Sequence, residues 1–183
     1  MRRSLAVSAL VLVAVACTGR GEGTIPRTPS PEPSAQPTAP DPTRVEIYTA
    51  AFRALAETES WFDPVLLDER ICPDIADIGA PRQGPCAERF TESEQAAILA
   101  GLDDAPGIRF VDHAARIQHR IFSGGLRGAG FLTVGAIDGD DERVTVAGRS
   151  YCGGLCAHWM TLVVRNGPGG WTVTGTTGPV AIS

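Results

Sequence analysis

Four segments near the C-terminus decide how this chain folds: Phe131–Ile137 (FLTVGAI), Glu142–Gly148 (ERVTVAG), His158–Arg165 (HWMTLVVR) and Trp171–Thr177 (WTVTGTT). Each is rich in β-branched and aromatic residues, the side chains that suit a pleated, half-buried surface. Turn-forming stretches lie between them, Asp138-Gly139-Asp140-Asp141 after the first and Asn166-Gly167-Pro168-Gly169-Gly170 before the last. Short loops of this kind join neighbours, so the four segments are expected to form an antiparallel meander.

Upstream of the meander the period changes from two to about 3.6. Thr43-Arg44-Val45-Glu46 has the spacing of a capping box, and Val45, Tyr48, Phe52 and Leu55 follow on one helical face to about Glu59. Thr91-Glu92-Ser93-Glu94 repeats the signature and opens a second helix to about Leu102, with Ala97, Ile98 and Gly101 on one side. Short buried strands are expected at Pro64–Asp68 and Ile108–Val111. Helices followed by strands predict an α+β fold, with N-terminal helices packed on an antiparallel meander in a cone-like curved sheet.

The first 43 residues have a different character. Arg2 and Arg3 precede the apolar run Leu5–Ala16, which at about twelve residues is short of the roughly twenty that cross a bilayer. The run ends in Ala14-Val15-Ala16-Cys17, which resembles the lipobox of bacterial lipoproteins. The resemblance implies cleavage before Cys17 and acylation of its thiol, with two or more chains giving a stable anchor. Residues 1–16 are thus expected to be a lipoprotein signal peptide. Residues 17–43 are expected to be the lipidated cysteine and a solvated Pro/Thr/Ser-rich tether, and residues 44–183 one globular domain. The membrane is then the first partner, at its extracytoplasmic face.

Composition removes several function classes. The formal net charge is −5, and no basic run offers counterion release to a nucleic acid. All 16 basic residues are arginine, which excludes a Schiff-base lysine, a phosphate-loop lysine and a Ser-Lys dyad. No cofactor is implied.

Apart from Cys17 the chain has Cys72, Cys86, Cys152 and Cys156, an even number that favours two disulfides in an oxidising compartment. Three pairings are open, of which Cys72 with Cys86 and Cys152 with Cys156 are the most economical. The rival is a zinc or thiol-redox site built from Cys152, Cys156 and His158, with Cys72 or Cys86 as a further ligand. Other chemistry is incomplete. His113 and His119 flank Arg116 after Asp112, and a small hydrolase would need that region together with Ser123 or an acidic residue. No Gly-x-Ser-x-Gly elbow is present, and Gly124–Gly130 (GGLRGAG) leads into a strand rather than a helix N-terminus. The acidic turn at Asp138–Glu142 lacks calcium-loop spacing and is expected to be a solvated hairpin turn. Trp159 and Trp171 lie on neighbouring predicted strands and are expected to meet across the sheet.

Tyr151-Cys152-Gly153-Gly154-Leu155-Cys156, then WMTLVV, then Gly170–Pro179 (GWTVTGTTGP), the terminal VAIS and the earlier Ile71-Cys72-Pro73 carry a further likeness. About half of the domain resembles a group of uncharacterised actinobacterial lipoproteins and secreted proteins with a Cys-Gly-rich turn and a closing Trp-containing strand. The resemblance implies export and a shared fold, and it supplies no catalytic residue. The expectation is a membrane-anchored module that binds a small ligand or an envelope protein, with the hydrolase and the zinc or redox protein as alternatives.

Overall fold

The computed structural model describes residues 39–58, 63–73, 75, 86, 88–102, 107–112, 129–153 and 156–182, all within one compact unit, Pro37–Ser183. Among the described residues, two helices and seven strands occur in the order α1 (Pro42–Thr58), β1 (Val65–Ile71), β2 (Glu88–Arg89), α2 (Glu92–Ala100), β3 (Arg109–Val111), β4 (Gly130–Gly139), β5 (Arg143–Gly153), β6 (Cys156–Gly167) and β7 (Gly170–Ile182).

The strands form one open sheet in the order β2-β1-β4-β5-β6-β7, with β3 also on β1. β4 to β7 are antiparallel neighbours, as the turn-separated segments predict. The sheet as a whole is mixed, because β1 runs parallel to both β3 and β4. A strand that pairs in parallel must cross over through intervening chain, and such a long-range partner leaves no mark in the local pattern. β2 and β3 divide the outer edge of β1, β3 beside Leu66–Asp68 and β2 beside Arg70 and Ile71.

α1 begins two residues ahead of the expected domain start. The Thr43 N–H donates to Asp41 Oδ1 at 3.0 Å and the Val45 N–H to the Asp41 carbonyl at 3.1 Å, so Asp41 caps the helix and Pro42 is its first residue. The expected Thr43–Glu46 box therefore does not form. Proline at the first helical position loses only an N–H that would be unpaired anyway, and its φ is already helical. At α2 the expected box is present. Glu94 N–H donates to Thr91 Oγ1 at 3.2 Å, and Thr91 N–H to Glu94 Oε2 at 2.8 Å.

Tyr48, Phe52 and Leu55 of the α1 stripe are buried in one core with Leu67, Leu132, Val134, Val146, Leu162 and Val164. α1 contacts β4, β5, β6 and β7, and α2 contacts α1. Each fully buried apolar side chain contributes about 1.5–3 kcal/mol. The close approach to β5 depends on Gly148, where an added Cβ would stand 2.9 Å from Leu55 Cδ2. Four aromatic rings complete this core, with Tyr48 against Phe90 at 4.8 Å, Phe52 against Phe110 at 5.9 Å and Phe90 against Phe110 at 5.6 Å between centroids. Over them lies Arg44, 5.2 Å from the Tyr48 ring, paired to Glu88 at 2.6 Å and Glu94 at 2.8 Å.

The opposite face of the sheet carries a second cluster, Leu66, Ala129, Phe131, Tyr151 and Ala157, with Trp159 packed against it. Trp171 belongs to the helix-side core. The two tryptophans therefore do not meet across one face. Trp159 is paired with Ala181 and Trp171 with Asn166, far apart along the ladder.

The acidic turn is a hairpin turn. Asp140 Oδ1 accepts the N–H groups of Arg143 at 2.9 Å and Glu142 at 3.0 Å, and these bonds hold its carboxyl below the usual carboxylate range. Gly139 has φ 139°, and a Cβ there would lie 2.3 Å from the Arg143 carbonyl oxygen. Gly139→Ala is expected to cost about 2–3 kcal/mol through backbone strain and this clash, seen as a lowered Tm in calorimetry.

Burial pushes the Tyr48 phenol up to about 12, with Arg44 opposing the rise and Glu88 and Glu94 adding to it. Its O–H donates to the Gly135 carbonyl at 3.2 Å, a bond available only to the neutral phenol. A raised pKa in the folded state means that this contribution to stability is complete below pH 10 and disappears as pH rises toward 12. Absorbance titration of the phenolate is expected to show a step near pH 12 that Tyr48→Phe removes.

Candidate functional site

Between α1 and the β6–β7 end of the sheet lies a groove of about 590 Å³. Ala50, Arg53, Ala54, Glu57 and Thr58 form its helical wall. Met160 and Leu162 of β6 form the floor, and Trp171, Thr172, Val173, Gly175 and Thr176 of β7 complete the other side. Small side chains keep the space open. Ala50 and Ala54 are one turn apart on the same face of α1, and nothing stands within 4 Å of a Cβ built at Gly175.

The lining is apolar at depth and polar at the rim. Met160, Leu162 and Trp171 are buried, whereas Thr172, Thr176, Thr58 and Glu57 are exposed. Arg53 is fixed by donating through Nη2 to the Gly101 carbonyl at the C-terminus of α2. That end of a helix carries partial negative charge and suits a cation. An apolar body with polar groups at its edge is the ligand chemistry that such a lining accommodates. Among the described residues its lining offers hydroxyls at Thr58, Thr172 and Thr176, one carboxylate at Glu57 and one guanidinium at Arg53.

Of the residues singled out from sequence, Cys72 and Cys86 come together in a disulfide with 4.3 Å between Cα atoms. Cys72 is buried at the end of β1, its N–H donating to Val134 O at 3.0 Å, and Arg70 Nη1 donates to the Cys86 carbonyl at 3.3 Å. Cys156 is also disulfide-bonded. In this disulfide state none of the three sulfurs is a thiolate ligand for zinc. His158 shares the period-two face of Cys156 on β6 and is paired in register with Ser150 and Ile182. Cys17, the Cys152 side chain, His113, Arg116, His119 and Ser123 lie outside the described residues.

On the face away from α1, the Arg149 guanidinium lies 5.5 Å from the Tyr151 ring and 5.2 Å from that of Trp159. These contacts join β5 to β6 and form no cleft with the groove, which is on the other face. Among the described residues no three His, Cys, Asp or Glu side chains gather as a metal-ligand set, and no helix is long and apolar enough to cross a membrane.

The groove was not anticipated from sequence. Its signal was present but faint, in alanines four apart on α1 to one side of the large-residue stripe and in the threonines of β7. No protein-family model, curated protein or solved structure matches the chain.

The Cys72–Cys86 link spans a sequence separation of 14, and closing such a loop stabilises by about 3 kcal/mol in the chain-entropy estimate. A Cys72→Ala/Cys86→Ala double variant is expected to lose stability of that order in urea unfolding. Thiol counting on the denatured, unreduced protein is expected to leave Cys72, Cys86 and Cys156 unlabelled.

Proposed function

We propose that this chain is an exported lipoprotein, acylated on Cys17 and held at the extracytoplasmic face of the cell membrane, whose domain binds a small, partly apolar ligand. The observation that carries the binding reading is the groove between α1 and β6–β7, with an apolar floor and a polar rim. In this reading the sheet is the curved wall of a cone-like fold and α1 is the helix laid along it. The groove is the opening left between them.

The anchor reading rests on the sequence. A basic pair, a short apolar run and small residues before Cys17 form a complete export signature. Disulfides at Cys72, Cys86 and Cys156 fit an oxidising compartment outside the cytoplasm. The resemblance to actinobacterial lipoproteins supports the same address. Pairing of Cys156 with Cys152 completes the disulfide set and leaves Cys17 for the lipid.

Intact-mass measurement of membrane-extracted protein is expected to give a chain that begins at Cys17 and carries the lipid mass. A chain that begins elsewhere, or has no lipid, overturns the anchor. For the groove, native mass spectrometry of protein from its own cells is expected to show a small-molecule adduct. Ala54→Trp fills the groove and is expected to reduce the adduct about tenfold or more, equivalent to about 1.4 kcal/mol. An adduct of equal occupancy in a folded Ala54→Trp variant places the binding elsewhere, and absence of any adduct in the parent removes the binding reading.

A further inference from the structure

We propose that the groove takes an organic cation, an ammonium or quaternary ammonium group carried on an apolar body. This ligand class rests on the binding reading above, and the charges around the groove select it.

Three charged side chains of α1 border the groove. Arg53 and Glu57 belong to its lining, and Glu46 stands beside the start of β7, its Oε2 3.4 Å from a Cβ built at Gly170. Glu46, Ala50, Arg53 and Glu57 recur at helical spacing, so they share the face of α1 that meets β7. β7 adds no charge of its own, since from Gly167 to Ile182 the chain has none. On β6, Met160 and Leu162 form the floor. Arg165 follows Val164 of the helix-side core and so points to the other face of the sheet.

The positive charge of the lining is already engaged. Arg53 donates through Nη2 to the Gly101 carbonyl, where the C-terminal end of α2 supplies partial negative charge to offset it. That bond holds the guanidinium toward α2. The carboxylates are not engaged. Glu46 and Glu57 are both exposed, and among the described residues neither forms an ion pair or a side-chain hydrogen bond. The rim thus sets two uncommitted carboxylates against one committed guanidinium, and a cleft of that sign gathers cations and repels anions. An anionic ligand would have to draw Arg53 from the Gly101 carbonyl to find a partner.

The floor suits the same ligand. Trp171 brings an indole, the side chain that holds cations best among the aromatics, and Met160 brings a polarizable thioether. The apolar body of the ligand covers Met160, Leu162 and Val173. Thr172 and Thr176 offer hydroxyl oxygens that accept from an ammonium N–H.

Met1 and Met160 are the methionines of the chain, so isotope labelling of methionine methyls for NMR puts a reporter on the groove floor, identified by its loss in Met160→Leu. The full-length protein is titrated with benzyltrimethylammonium, benzyl alcohol and phenylacetate, which share a benzyl group and differ in charge. The cation is expected to shift the Met160 signal with an affinity about tenfold above that of benzyl alcohol, and phenylacetate to bind most weakly. Glu57→Gln is expected to lower the affinity for the cation about fivefold and to leave that for benzyl alcohol unchanged. Ala54→Trp is expected to suppress all three. Equal affinities, or phenylacetate the tightest, with the shifts still lost in Ala54→Trp, overturn the cation and leave the groove as a binding site. A preference for the cation that survives Glu46→Gln/Glu57→Gln overturns the assigned carboxylates. Absence of any shift, or shifts that a folded Ala54→Trp variant retains, removes the groove reading and the cation with it. Should Ala54→Trp fail to fold, nuclear Overhauser contacts between the benzyl ring and the Met160 methyl in the parent decide occupancy, and their absence counts against the groove.

Discussion

The fold depends on a small aromatic knot. Tyr48 and Phe52 project from α1, Phe90 comes from the junction between β2 and α2, and Phe110 comes from β3, so four rings bring together segments that would otherwise have little to hold them. β2 and β3 are too short to stand by their ladder bonds alone. The knot gives them a place on β1, and the Glu94 carboxylate ties it off by closing the α2 capping box with one oxygen while pairing Arg44 with the other. A buried carboxylate is costly unless both oxygens find donors, and here both do. The cation over the rings adds attraction from their negative faces.

The same helix that carries the knot creates the groove. Toward the centre of the sheet α1 presents Phe52 and Leu55, which fill the core, whereas beside β7 it presents the small side chains of Ala50 and Ala54, which leave the groove open above them. One element thus packs tightly on one side and leaves room on the other. Arg53, the one basic residue of the groove wall, is tied to the Gly101 carbonyl, so the wall is connected to α2 as well as to the sheet. Support from both α2 and the sheet holds this surface of small residues in place.

The strong local patterns were legible in the sequence. The Tyr48-Phe52-Leu55 stripe, the Thr91 box and the alternation of β4 to β7 each combine a period with a punctuating turn or cap, and each appears in the structure. What stayed hidden was non-local. Glu88 and Arg89 have no apolar pattern and form a strand only because β1 offers an edge. The parallel pairing of β1 with β4 joins segments about sixty residues apart, and no local signal specifies it. Asp41-Pro42 was legible as a cap and first turn, but it sits at the end of a Pro-rich stretch that reads as tether. The groove was the least visible, since a space is marked only by side chains that are small. Cys72 with Cys86 followed from economy of loop closure, and the structure has that pair.

The position of β1 has a consequence for how the chain reaches this state. The hairpins from β4 to β7 join neighbours in sequence and can form as soon as each turn closes, whereas β1 needs β4 as its parallel partner and must wait. Contacts of high sequence separation slow folding because the loop must be ordered before it is rewarded. Synthesis runs from the N-terminus, so α1 and β1 emerge first and can meet β2, α2 and β3, but the long strands β4 to β7 exist only with the last third of the chain. Until then the part of α1 that packs on β4 to β7 has only the aromatic knot for company. The early half thus holds a provisional core of its own, which the late half completes by laying the long strands against α1.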